Sequence, residues 1–284
     1  MKPKRTTPSW TSPPQDRRRE ILEHLATLAI AMTQEELDDV LRRAEQGSWS
    51  HVELLDRLLG ECAQRKHQRI VERRIREARF VMGKTLESFD WEFNAQAIDR
   101  VQIEELATGD FIARKDNLLV VGQSGVGKSH LLEGIGHRAC LRGFRVRYIA
   151  SDELLERLGA SLADGTTPKL IRSYASFDLL IIDGFGFDRI EREKTPRALS
   201  LLYKVIDQRN TRRSTALVTN IEFEAWNTYL GDAVLTMALM DRLADSAITL
   251  KINGKSYRAH RARQIGASMA GKRSKAKPNS RTSD

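Results

Sequence analysis

The stretch Asn117-Leu-Leu-Val-Val-Gly-Gln-Ser-Gly-Val-Gly-Lys-Ser-His130 constrains this chain more than any other. Four apolar residues, Leu118 to Val121, run into Gly122-Gln123-Ser124-Gly125-Val126-Gly127-Lys128-Ser129, a full match to G-x-x-x-x-G-K-[ST]. His130 and the residues after it read as a helix closed by Gly143. A strand, a glycine loop and a helix in that order make a phosphate site. The glycines let successive backbone N–H groups turn inward, and the helix N-terminus adds its dipole. The pattern predicts that Lys128 reaches the β- and γ-phosphates of ATP and that the Ser129 hydroxyl completes a Mg²⁺ shell. The competing reading, a glycine-rich turn in an α/β protein, is disfavoured by the flanking strand and helix.

Composition sets the bounds around this loop. The 284 residues are 40% hydrophobic, enough for a sizeable core, and 30% charged. The longest apolar run, Leu25 to Met32, is too short to span a bilayer, so no membrane role is expected. The basic N-terminus has no apolar segment behind it and does not read as a signal peptide. Cys62 and Cys140 stand alone without metal-like spacing, which predicts reduced thiols and a cytoplasmic location. The net charge of +9 is concentrated: residues 251–284 carry ten Lys and Arg against Asp284 alone, and the rest of the chain balances.

Residues 1–15 hold four of the seven prolines among basic residues and read as a disordered leader. Residues 16–80 are expected to be a small helical domain. Ile21, Leu22, Leu25, Leu28, Ala29 and Met32 recur at helical spacing, Thr33-Gln-Glu-Glu36 is a capping box, and Ser50 caps a long third helix. The end of that helix is basic, with Arg65, Lys66, Arg69, Arg73, Arg74, Arg76 and Arg79; a solvated face and a face for a phosphate backbone are both open readings. Residues 81–116 form a linker and the first core elements, and the aromatics of Lys84-Thr-Leu-Glu-Ser-Phe-Asp-Trp91 pack either on the core or on a base. Residues 117–260 alternate strands with helices. Candidate strands are 118–121, 146–150, 179–183, 216–220 and 247–252; candidate helices lie near 128–141, 151–163, 193–209 and 233–244. This predicts an α/β fold with a parallel sheet covered on both faces. From Gly254 periodicity fades, and residues 261–284 are expected to be a basic disordered tail.

Four further groups complete the expected site. Phe177-Asp-Leu-Leu-Ile-Ile-Asp183 is a buried strand ending in a carboxylate, and Asp183 is placed to hold Mg²⁺ beside Ser129. Asn220, at the tip of another apolar strand, either orients an attacking water or is a turn asparagine. Arg242 either reaches a neighbouring subunit's nucleotide as an arginine finger or makes an intrachain salt bridge. Arg258, in Gly254-Lys-Ser-Tyr-Arg258, is placed to contact the γ-phosphate within its own subunit.

These segments resemble the IstB-type ATPases of insertion sequences, relatives of the DnaC helicase loader within the AAA+ class. The likeness rests on Lys84 to Asp90, Gly122 to His130, Leu179 to Asp183, Thr219-Asn220, Phe223-x-x-Trp226, Gly231-Asp-x-Val234, Asp241-Arg-Leu243 and Gly254-x-Ser-Tyr-Arg258. It covers about residues 16–260. The resemblance implies an AAA+ P-loop core with a small helical N-terminal domain, ATP-dependent self-assembly on double-stranded DNA, and help to a partner transposase. By the same resemblance Asn220 is the sensor at a strand tip, Arg242 the finger and Arg258 a second sensor. One position departs from the family: the carboxylate that usually follows the metal-binding Asp is replaced by Gly184. Glycine cannot polarise water, so either Asp188 or another acid substitutes or hydrolysis is slow. A helicase loader, an ATP-gated DNA-binding switch and a small-molecule kinase are the alternatives, the kinase being opposed by the Asn220, Arg242 and Arg258 set.

Overall fold

A computed structural model describes residues 14–80, 83–186 and 196–265. The chain divides into two compact units between Arg73 and Arg74.

The first unit is helical. Helix α1 (Pro14–Thr27), α2 (Gln34–Gln46) and most of α3 (His51–Ala78) enclose a small core of Leu37, Val40 and Leu58 with Leu22, Met32 and Trp49 packed around it. Both helix starts follow from local chemistry. Glu36 N–H donates to Thr33 Oγ1 at 3.3 Å and Thr33 N–H to Glu36 Oε2 at 2.8 Å; Ser50 and Glu53 repeat the exchange at α3. The apolar spacing of α1 continues to Met32, yet the helix stops at Thr27 because the chain turns through a left-handed Ala29 at φ +55°. Arg65 of the basic run is engaged inside this unit, 2.5 Å from Glu36 and 3.4 Å from Glu61.

The second unit is built on five parallel strands. They are β1 (Asn117–Gly122), β2 (Val146–Ala150), β3 (Leu179–Phe185), β4 (Ser214–Thr219) and β5 (Ala247–Ile252), in the order β2-β3-β4-β1-β5. Strand β1 is buried along its whole length, as its unbroken apolar run requires. Side chains alternate between the faces. Leu118, Val120, Leu179, Ile181, Ala216 and Val218 pack against α6 (Lys128–Leu141) and α4 (Arg100–Ala107). Leu119, Leu180, Ile182 and Leu217 face α7 (Ser151–Ala160), α9 (Pro196–Arg209) and α11 (Ala233–Ala244). Each buried Leu, Ile and Val among them contributes about 1.5–3 kcal/mol of transfer free energy, so the two layers carry the fold.

The expected strands and helices are present with boundary shifts of a few residues. Four short helices were not expected: α4, α5 (Asp110–Arg114), α8 (Thr167–Ala175) and α10 (Trp226–Leu230). The start of the helix expected from 193, and Asp188, lie outside the described residues. Residues 257–265 form a helix, so 261–265 correct the expectation of a disordered tail beginning at 261. Its sequence lacks apolar periodicity; tertiary packing holds it instead, through Tyr257 and His260 against Phe93 at ring-centroid distances of 5.0 and 4.8 Å.

At the N-terminal edge of the sheet, the completely buried Arg209 ties the layers together. Its Nε donates to Thr215 Oγ1 at 3.0 Å, Nη1 to the Tyr174 and Phe177 carbonyls at 2.8 Å, and Nη2 to the Ser214 carbonyl. Burial pushes its guanidinium down to about 9, which still leaves it charged at neutral pH. The opposite edge, where the strands end, is left for the site.

Candidate functional site

Ligands in open parallel sheets bind beyond the carboxyl ends of the strands. Here those ends deliver the glycine loop after β1, Asp183 in β3, Asn220 after β4 and the 254–258 segment after β5. Between them lies a cavity of about 610 Å³. Ser124 to His130, Asp183, Gly184 and Arg258 line it, and so do Lys84, Phe89, Asp90, Phe93 and Arg261.

The loop is shaped by two left-handed glycines. Gly125 has φ +84° and Gly127 φ +107°, and a Cβ on either would stand 2.3 Å from Ser256 Oγ or 2.9 Å from Phe89 Cε2. A side chain is therefore excluded by both backbone strain and close approach. The loop is held from outside as well: Tyr257 N–H donates to the Gly125 carbonyl at 2.8 Å. Asn94 bridges the same elements, its Nδ2 donating to the Lys255 carbonyl at 3.0 Å and reaching within 3.5 Å of the Val126 carbonyl.

Lys128, the first residue of α6, is buried and curls back over the loop. Its Nζ donates to the Gly122 carbonyl at 2.6 Å and the Gln123 carbonyl at 2.8 Å. Burial pushes its ammonium below the usual lysine range; Asp183 opposes that shift and Arg258 adds to it. Lys128, Asp183 and Arg258 thus share one electrostatic neighbourhood. An anion there would relieve the repulsion between the two cations and give the Lys128 ammonium a stronger partner than two carbonyls.

Ser129 and Asp183 supply one hydroxyl and one carboxylate to the cavity. Among the described residues no cluster of three or more His, Cys, Asp or Glu is present. That donor set suits Mg²⁺, which binds through one or two protein oxygens and completes its shell with phosphates and water. It does not suit a metal caged by protein alone.

The other expected residues are placed differently. His130 lines the cavity but ties down the preceding segment: its Nε2 donates to the Thr85 carbonyl at 2.9 Å and its ring meets Phe89 edge-on at 5.1 Å. Asn220 is exposed beyond β4, the strand between β1 and β3, and does not line the cavity. Arg242, near the end of α11, lies outside the cavity and pairs with Asp207 at 2.9 Å and Asp241 at 2.6 Å. The aromatic segment docks on the core, as one of the two readings expects. Phe89 packs on the core and lines the cavity, whereas Trp91 docks, donating from Nε1 to the Leu86 carbonyl at 3.2 Å. Sequence reasoning did not single out Asn94, Asp90, Phe93 or Arg261. Phe93 alone carried a signal, as a further aromatic just past the recognised segment.

Residues 23–265 match the family described as IstB-like ATP binding protein. The chain is 32% identical over 230 residues to the ATP-binding protein assigned to insertion sequence IS21 in Pseudomonas aeruginosa, covering 81% of this chain and 85% of that protein. A counterpart assigned to IS5376 in Geobacillus stearothermophilus is 32% identical over 239 residues, covering 84% and 93%. Among solved structures, a DNA replication initiation factor superposes with a TM-score of 0.50 at 20% identity, covering 68% of this chain and 56% of that one. That last likeness is one of fold.

Proposed function

The chain belongs to the family of IstB-like ATP binding proteins, and from that premise we propose that it is an AAA+ ATPase that assembles on double-stranded DNA with ATP and assists a partner transposase. Its fold is that of an AAA+ P-loop core with a helical N-terminal region, and its family binds ATP. The observation that carries the reading is the convergence of Lys128, Ser129, Asp183 and Arg258 on one cavity at the sheet's carboxyl edge.

In this reading the loop N–H groups from Gly122 to Ser129 cradle the phosphates, and Lys128 exchanges its two carbonyl partners for phosphate oxygens. Ser129 and Asp183 would hold Mg²⁺, which when bound neutralises charge on the phosphates. Arg258 faces the same phosphates from its own subunit. Arg242, which pairs with Asp207 and Asp241 outside its own cavity, would act on a neighbour's in this reading, making assembly a condition of a complete site. Asn220, at the tip of the strand between the loop and Asp183, orients water.

DNA contacts are assigned to the basic segments, the run 65–79 and the positions beyond the cavity-lining Arg258 and Arg261, including Arg263 of the terminal helix. In this reading they neutralise phosphates rather than read base edges, so binding is weakly sequence-specific. Among the described residues no helix is long and apolar enough to cross a membrane. A second reading, an ATP-gated switch that hydrolyses slowly, is favoured by one observation: Gly184 stands in the cavity wall where the family usually carries a carboxylate.

The test is assembly on a DNA duplex, measured by light scattering with and without ATP and Mg²⁺. Wild type assembles with ATP, and Lys128→Ala neither binds nucleotide nor assembles. DNA affinity falls by orders of magnitude between about 50 and about 200 mM salt if six or more phosphates are neutralised, and removal of residues 266–284 flattens that slope. Nucleotide-independent assembly, or a salt slope near zero, overturns the proposal.

A further inference from the structure

Behind the loop, three polar side chains that the proposed chemistry does not use form a chain into the site. Glu133 lies on α6, five residues after Lys128, and is completely buried. A buried carboxylate is costly unless paired, and Lys84 pairs with it, Nζ to Oε1 at 2.8 Å. Lys84 itself is one third exposed and lines the nucleotide cavity. On the other side of Glu133 stands Tyr148 of β2, whose ring is braced by Phe80 at a centroid distance of 6.5 Å. The Tyr148 hydroxyl donates to Asp183 Oδ2 and also faces Glu133. Burial first, then the two carboxylates, push its ionisation upward, so the phenol remains a donor.

A phenol has one hydrogen to donate, and two carboxylates compete for it. With that hydrogen on Oδ2, one oxygen of Asp183 is fixed and the other is left for a metal ion or its water. The strand register explains the reach: Tyr148 pairs with Ile181, one side-chain repeat before the Ala150–Asp183 pair, on the same face of the sheet. Resting on the reading of Asp183 as the Mg²⁺-holding carboxylate, we propose that Tyr148 is a positioning residue for Asp183. The Lys84–Glu133 pair neutralises Glu133 as the competing acceptor, leaves the hydrogen on Asp183 and thereby couples the cavity wall at Lys84 to the metal side of the site. Nothing in the glycine loop performs this task, because Lys128 bonds only to loop carbonyls here.

The experiment titrates Mg²⁺ against binding of a fluorescent, non-hydrolysable ATP analogue to the full chain, and repeats the binding in EDTA. Loss of an outer-shell partner typically weakens metal affinity about 10- to 100-fold. Tyr148→Phe, which keeps the ring, is therefore expected to raise the Mg²⁺ midpoint at least about tenfold, with affinity in EDTA within about twofold of wild type. Lys84→Gln is expected to shift the midpoint the same way, by about threefold or more, and carries the test if Tyr148→Phe does not fold. Asp183→Asn separates the two levels of the argument. If it moves the midpoint and folded Tyr148→Phe does not, the positioning role is wrong and the metal reading stands. If neither moves it, both are wrong. Equal losses with and without Mg²⁺ in Tyr148→Phe assign the hydroxyl to general packing and overturn the proposal.

Discussion

Gly184 offers the sharpest test of how this site treats water. It follows Asp183 on β3, lines the cavity and sits at φ +78°, with its carbonyl held by Ser151 Oγ at 3.2 Å. Gly184→Glu restores a carboxylate beside the aspartate but forces a residue with a Cβ into left-handed backbone, at a cost of about 1–2 kcal/mol. Gly184→Ala carries the same backbone cost with no carboxylate, so the difference between the two isolates the carboxylate. A group that positions or deprotonates water contributes about 10²–10⁴-fold to the chemical step. That is about 3–5 kcal/mol of barrier, larger than the strain. In single-turnover hydrolysis on duplex DNA, Gly184→Glu should exceed Gly184→Ala at least about 100-fold, and wild type should stay near the alanine variant. Both variants should unfold about 2–8 °C below wild type. Nucleotide affinity should survive, because the loop from Gly122 to Ser129 supplies the phosphate contacts. Wild-type turnover as fast as Gly184→Glu would refute the reasoning. If Asp188→Ala then abolished it, Asp188 would hold the role.

Three further outcomes follow from the described contacts. Arg242→Ala should bind nucleotide normally as a monomer and lose ATP-driven assembly in light scattering; normal assembly would leave Arg242 only its pairs with Asp207 and Asp241. Arg209→Met should lower the free energy of unfolding in urea by about 3–5 kcal/mol, because it strands three buried carbonyls and the Thr215 hydroxyl; a loss below about 1 kcal/mol would show that these groups find other partners. Glu36 is held below its ordinary 4.5, first by the Thr33 backbone N–H of the capping box and then by Arg65. A depressed folded value stabilises above the unfolded one, so this contribution is present above about pH 4.5 and fades as pH falls through the lowered value. Glu36→Gln should remove that acid-dependent portion in a circular-dichroism pH titration, and an unchanged acid limb would refute it.

What was legible in the sequence shares one property: it depends on residues close together in the chain. The glycine loop, the five strands, the Thr33 capping box, the Ser50 cap and the carboxylate near the end of β3 are each set by backbone sterics, side-chain alternation or hydrogen bonds three residues apart. Local chemistry decides these before any packing occurs, and a family resemblance could be recognised on the same short segments. Tertiary structure decided the rest. Asn94 reaches a carbonyl 161 residues away, Lys84 pairs with Glu133 across 49, and Tyr148 meets Asp183 across 35. No short-range pattern marks such partners, because a lone Asn, Lys or Tyr looks alike in solvent and in a cavity wall. The helix at 257–265 shows the reverse case, a segment with no periodicity of its own that becomes ordered because Phe93 and the Gly125 carbonyl offer it contacts. The parallel sheet is the physical reason for the division. Each strand end is specified locally, but only the order β2-β3-β4-β1-β5 sets Asp183 near the loop and leaves Arg242 outside the cavity.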